Sequence, residues 1–264
     1  MKKIFLILSL LFVADALVLG QASSNHAESK YRFEKISSIE ATPVLSQGMS
    51  GTCWSFSALS FFESEIMRIK KEQIVLSEMF IVRHAYSEKA VKYIRMDGKI
   101  NFGEGGAFHD IPFILSRYGI VPASVYSGLR PDEEKINHKE MFTVLDGFVG
   151  GVLKTVESLK KSETLSLVWR DALQGILDTY LGKIPITFNY KGKEYTPKSF
   201  AEYLKLNMND YVSITSFTHF PLNEKCMLEI PDNWAWGNSY NVSLDDLVKI
   251  TDHALRNGFS IAWG

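Results

Sequence analysis

Cys53 stands at the mouth of a long amphipathic stretch, directly behind the glycine-bearing loop Gln47-Gly48-Met49-Ser50-Gly51-Thr52. Cys53, Phe56, Leu59, Phe62, Ile66 and Ile69 recur at three- and four-residue intervals, which predicts a helix with one buried stripe. A thiol in the first turn of such a helix faces unpaired N–H groups and the positive end of the helix dipole, a setting that favours a thiolate. Gln47 adds an amide donor on a loop able to turn back onto the same spot. The pair supplies a nucleophile and one half of an oxyanion hole. The competing reading is a small structural cysteine packed at a helix start.

Gln47, Cys53 and the following Trp54 resemble the oxyanion glutamine, nucleophile and adjacent tryptophan of the papain superfamily of cysteine peptidases. Further matches follow in order. Leu76-Ser77-Glu78 resembles the segment after the catalytic helix, with Ser77 a natural N-cap, so Glu78 reads as a helix start and not as a catalytic acid. Gly103-Glu104-Gly105-Gly106 resembles the family's paired-glycine loop, which implies that Gly105 and Gly106 bind substrate backbone. Tyr118-Gly119-Ile120-Val121-Pro122 and Tyr126 extend the likeness. The resemblance implies an α+β, papain-like two-lobe fold, with a helical lobe carrying the cysteine and an incomplete β-barrel-like lobe. It assigns Cys53 and Gln47 to catalysis and Gly105, Gly106 and Trp54 to substrate binding. It implies no cofactor and no metal.

At 264 residues, 46% hydrophobic and 22% charged, the chain has enough material for a sizeable core, as one domain or two packed lobes. A net charge of −1 argues against a nucleic-acid or anionic-membrane partner. Lys2 and Lys3 precede an apolar run over residues 4–14 that continues past Asp15 to Gly20, with small residues at Gly20 and Ala22. That is the three-part pattern of a signal peptide over residues 1–22, and the run is too short and interrupted for a membrane span. The expectation is export to a periplasmic or secreted compartment, with no membrane attachment after cleavage. Only Cys53 and Cys226 are present, so a nucleophilic Cys53 leaves Cys226 a packed thiol without a disulfide partner.

The remaining residues, 23–264, read as one papain-like domain. Its polar start, residues 22–35, reads as poorly ordered. Helices are expected over 107–118, over 166–180 and from 243 to Gly258, with strand-like alternation at 210–217 and an apolar strand at 259–264. Residues 131–211 depart from a minimal papain as a helical insertion. That insertion, and Ser50 where many secreted papains carry a disulfide cysteine, resemble the bleomycin hydrolase and aminopeptidase C branch. The branch implies aminopeptidase activity on a peptide substrate and a possible homo-oligomer. Trp234 and Trp236 read as buried aromatic packing.

Papain-type chemistry needs a histidine to take the thiol proton. His26, His84 and His109 fall in the wrong region, His138 in a charged loop, His219 before a proline, and His253 on a helix surface. The expectation is therefore that the catalytic histidine and asparagine lie beyond Gly264 and that the chain as given is C-terminally truncated and inactive alone. Two other readings stay open: a non-catalytic peptide-binding protein on a papain scaffold, and an endopeptidase. Redirection to acyl transfer is disfavoured by the glutamine loop and the paired glycines.

Overall fold

The computed structural model of the protein describes residues 28–264; the expected signal peptide and His26 lie outside them. The chain divides into two units, Met1–Ser38 and Ile39–Gly264. Within the first, residues 28–38 carry no helix or strand.

The second unit is organised around helix α1 (Cys53–Lys70) and helix α2 (Glu78–Arg95). The α1 stripe is buried at Leu59, Phe62 and Ile66, while its ends open: Cys53 is exposed and Ile69 is 38% exposed. Each fully buried apolar side chain of this kind contributes about 1.5–3 kcal/mol. Ser77 caps α2 by accepting the Phe80 N–H at 3.0 Å, as the sequence predicts. Helix α2 is central to this unit, packing on α1, α3 (Asp110–Tyr118), α4 (Lys139–Ser158) and α5 (Val168–Leu181). That position buries Glu78, Arg83 and Lys89 along with its apolar residues. Charges so placed need partners. Arg83 reaches Gln174 at 2.8 Å and the Asp178 carboxylate, both on α5.

Helix α3 starts at Asp110, three residues later than predicted, because the Asp110 carboxylate accepts the Ala107 N–H at 3.0 Å and holds residues 107–109 in a turn. In the insertion, α4 buries Met141, Leu145 and Val149 at four-residue spacing, with Gly147, Gly150 and Gly151 in open space. Helix α5 matches the expected segment to within two residues.

The insertion is not wholly helical. Strands β1 (Phe188–Tyr190) and β2 (Lys193–Tyr195) form an antiparallel hairpin before α6 (Pro197–Leu204). Lys191 and Gly192 both have positive φ, the requirement of a tight two-residue hairpin turn. Phe188 and Tyr195 face one another across the ladder and pack on Phe200.

A second sheet has the order β3 (Ile214–Thr215), β5 (Asn238–Asn241), β4 (Glu224–Met227), with β3 parallel and β4 antiparallel to β5. It is open and small, and no barrel closes among the described residues. Asn241, fully buried, stitches it to the preceding loop by donating to the Phe217 and Phe220 carbonyls at 2.9 Å each and accepting the Phe217 N–H at 2.7 Å. Helix α7 (Leu244–Arg256) is capped by Ser243 as predicted. The strand predicted at 259–264 does not form: the segment joins no ladder, and the Ser260 hydroxyl instead donates to the Phe61 carbonyl of α1 at 3.4 Å. The strand expected at 210–217 shrinks to β3, preceded by a 3-10 turn at Met208–Asp210.

Candidate active site

The loop before α1 is held from three sides. Within it, the Gln47 side-chain amide donates to the Ser50 carbonyl, and the Ser50 hydroxyl donates to the Gln47 carbonyl at 2.8 Å. Ser50 also pairs with the Thr52 hydroxyl at 2.6 Å. From the insertion, Ile136 accepts the Met49 N–H at 2.8 Å and His138 donates its N–H to the Met49 carbonyl at 3.0 Å. Gly48 makes this approach possible. It sits at φ +60°, and a Cβ there would lie 2.3 Å from the Ile136 oxygen.

The third support is Glu104. Its carboxylate accepts the Gly51 N–H at 2.7 Å, and its carbonyl accepts the Trp54 indole N–H at 3.0 Å. The structure thereby brings the Gln47–Cys53 loop and the Gly105–Gly106 loop together, across about fifty residues of sequence. Gly106 approaches so closely that an added Cβ would sit 2.7 Å from both the Trp54 ring and the Asp110 carboxylate. Trp54 is buried beneath this loop, a support for it and not an exposed surface.

Cys53 is exposed as the first residue of α1, so its N–H has no intrahelical acceptor. Gln47 keeps a second amide proton beyond the one given to Ser50. An exposed thiol, a free helix-start N–H and a spare amide donor on a braced loop can accept and stabilise an acyl group. Cys226 is a buried free thiol on β4.

Under the glycine loop lies a set of buried polar groups that the sequence reading missed. The Lys89 ammonium, 1% exposed, donates to the Gly103 carbonyl at 2.8 Å and to the Gly105 carbonyl. Burial pulls Lys89 down to about 8, partly offset by Asp110, Asp232 and Glu104. Burial pushes the Asp110 carboxyl up to about 6, opposed by the Ala107 N–H and by the Trp234 indole N–H, which donates at 2.6 Å. Lys89 was visible as a cation in phase with Ala85 and Tyr86 on the buried face of α2.

The histidines are placed as follows. His84 is stacked on Tyr118 and pulled by burial to about 3; His109 precedes α3 instead of lying within it. His138, predicted in a charged loop, is 3% exposed, because it seats the start of α4 beside Tyr86, whose hydroxyl lies 3.2 Å from Nδ1. Burial pulls it to about 4. His253 is on the α7 surface as expected. Among the described residues, no hydrogen bond joins a histidine to Cys53. Trp234 is buried as predicted; Trp236 is not, being 47% exposed with the Lys92 ammonium 3.3 Å from its ring centre. No group of three His, Cys, Asp or Glu able to hold a metal occurs among the described residues, and no helix there is long and apolar enough to cross a membrane.

The profile of the Peptidase C1-like family matches residues 14–264. The chain belongs to the Peptidase C1-like family. Among its curated relatives, aminopeptidase C of Lactococcus lactis subsp. cremoris is 25% identical over 255 residues, covering 84% of this chain and 58% of the relative. Bleomycin hydrolase of Gallus gallus is 26% identical over 271 residues, covering 85% and 58%. The solved structure of PepW from Lactobacillus rhamnosis HN001 (DR20) superposes with a TM-score of 0.68 at 21% identity, covering 86% of this chain and 59% of that one. It shares the α+β, papain-like fold. The Peptidase C1-like chain thus spans about three-fifths of the length of the relatives it matches.

Proposed function

We propose that the protein is a cysteine peptidase, an aminopeptidase of the aminopeptidase C and bleomycin hydrolase branch, acting on peptides through a thioester at Cys53. The observation that carries this reading is the exposed Cys53 at the first position of α1, joined through Glu104 to the paired glycines. In this mechanism the Cys53 sulfur attacks the scissile carbonyl. The Cys53 N–H and the free proton of the Gln47 amide receive the developing oxyanion. Gly105 and Gly106 meet the substrate backbone, and Trp54 supports them from below. The base that takes the thiol proton is proposed to be a histidine outside the described ones, supplied by the part of the family length that this chain does not span. Removal of single N-terminal residues follows the names of the aminopeptidase C relatives. Export by a cleaved leader is proposed from the first 22 residues.

The test has two arms. In a form extended to the length of its relatives, Gln47→Ala is expected to lower turnover of an aminoacyl fluorophore by about a hundredfold while Cys53 alkylation persists. The 264-residue chain alone is expected to give no turnover. Turnover by this chain, lost on Cys53→Ala and on changing a histidine within it, would show that the base lies inside these residues.

A further inference from the structure

The buried cation beneath the paired glycines has no part in the chemistry just described, yet its geometry constrains how a peptide is held. The Lys89 ammonium holds the Gly105 carbonyl from inside the protein and the Gly103 carbonyl at 2.8 Å. The described chain contains no cis peptide bond, so the Gly105–Gly106 unit is trans. In a trans unit the C=O and the N–H point in opposite directions. A Gly105 carbonyl drawn inward to Lys89 therefore turns the Gly106 N–H outward, and no backbone carbonyl among the described residues accepts that N–H.

We propose that Lys89 is a positioning residue for peptide binding, fixing the plane of the Gly105–Gly106 peptide so that the Gly106 N–H is offered to a carbonyl of an extended peptide backbone. The inference rests on the papain-like reading of the glycine pair. A glycine loop is the one backbone that needs such an anchor, because it has no side chains to limit its rotation. The surroundings fit a retained charge: Asp110 and Asp232 lie near Lys89, and the Trp234 ring centre is 5.8 Å from the ammonium. Asp110 in turn accepts the Trp234 indole N–H. An apolar residue at 89 would leave the Gly103 and Gly105 carbonyls unpaired, and the peptide plane free to turn.

The experiment compares two reagents on Cys53 in this same chain. Iodoacetamide needs no backbone contact, whereas an N-acylated dipeptidyl chloromethyl ketone presents one. The native chain is expected to react with the peptidyl reagent in a saturable manner. In Lys89→Met the half-saturating concentration should rise about tenfold, the affinity of roughly one backbone hydrogen bond. The maximal alkylation rate and the iodoacetamide rate should stay unchanged. In Lys89→Ala, added propylammonium should restore tight binding, whereas propanol, of equal size but without the charge, should not. If the native chain shows no saturation, the glycine-pair reading fails and the proposal with it. If saturation is normal in both variants, the reading stands and the role of Lys89 is overturned.

Discussion

The Glu104 carboxylate accepts the Gly51 N–H at 2.7 Å, tying the glycine loop to the turn that presents Cys53. A carboxylate accepting a backbone N–H is a charge-assisted bond worth about 1.5–3 kcal/mol. Glu104→Ala should therefore speed amide hydrogen exchange at residues 51–54 and lower the melting temperature. Glu104→Gln, which keeps an acceptor oxygen, should restore most of both. Equal exchange in all three proteins would remove Glu104 as the tie.

Cys53 is exposed and Cys226 buried. Native iodoacetamide labelling, read by peptide mass spectrometry, should modify Cys53 much faster than Cys226, and the difference should vanish in denaturant. Comparable native rates would mean that Cys53 is not presented as the first turn of α1 suggests.

Gly147 and Gly151 lie on the exposed side of α4, and an added Cβ meets nothing within 4 Å at either. Glycine inside a helix costs about 0.5–1 kcal/mol relative to alanine. The double change Gly147→Ala, Gly151→Ala should stabilise the chain by about 1–2 kcal/mol in urea unfolding. A loss of stability would mean that this face of α4 is covered.

Stability should depend on pH through two buried groups acting in opposite directions. His138 titrates near 4 in the folded state, pulled down from 6.5 by burial. Between those values the unfolded chain binds more protons, so this group removes stability as pH falls from about 6.5 to 4. Asp110 titrates near 6 against an ordinary 3.8, because burial disfavours its charge. There the folded chain binds more protons, so this group removes stability as pH rises from about 4 to 6. His138→Gln should lessen the loss as pH falls from about 6.5 to 4, and Asp110→Asn should lessen the loss as pH rises from about 4 to 6. Urea midpoints at pH 4.5, 5.5 and 6.5 separate the two; unchanged slopes in both variants would show that neither group titrates as its burial implies.

Much of the cysteine-bearing half was legible because its signals are local. The α1 stripe, the Ser77 cap and the Gly119 stop each depend on residues within a turn or two, as does the Ser243 cap of α7 outside that half. What escaped depends on distant partners. Glu104 is one letter in a glycine-rich loop until Gly51 arrives opposite it. Lys89 reads as a surface charge unless its phase with Tyr86 is weighed, and His138 reads as loop unless α4 is known to begin there. The β1–β2 hairpin was hidden by its short strands and by a Lys191-Gly192 turn that carries positive φ with one non-glycine residue. The segment 259–264 has strand composition, but composition cannot supply a neighbouring edge.

The contact between Met49 and residues 136–138 limits how this scaffold can be re-engineered. Trimming the insertion to a compact papain outline would strip the turn before Cys53 of the backbone partners that Gly48 allows it to meet. Any shortened version must then keep the Ile136–Asn137–His138 tripeptide, or provide a replacement brace such as a cross-link at Ser50.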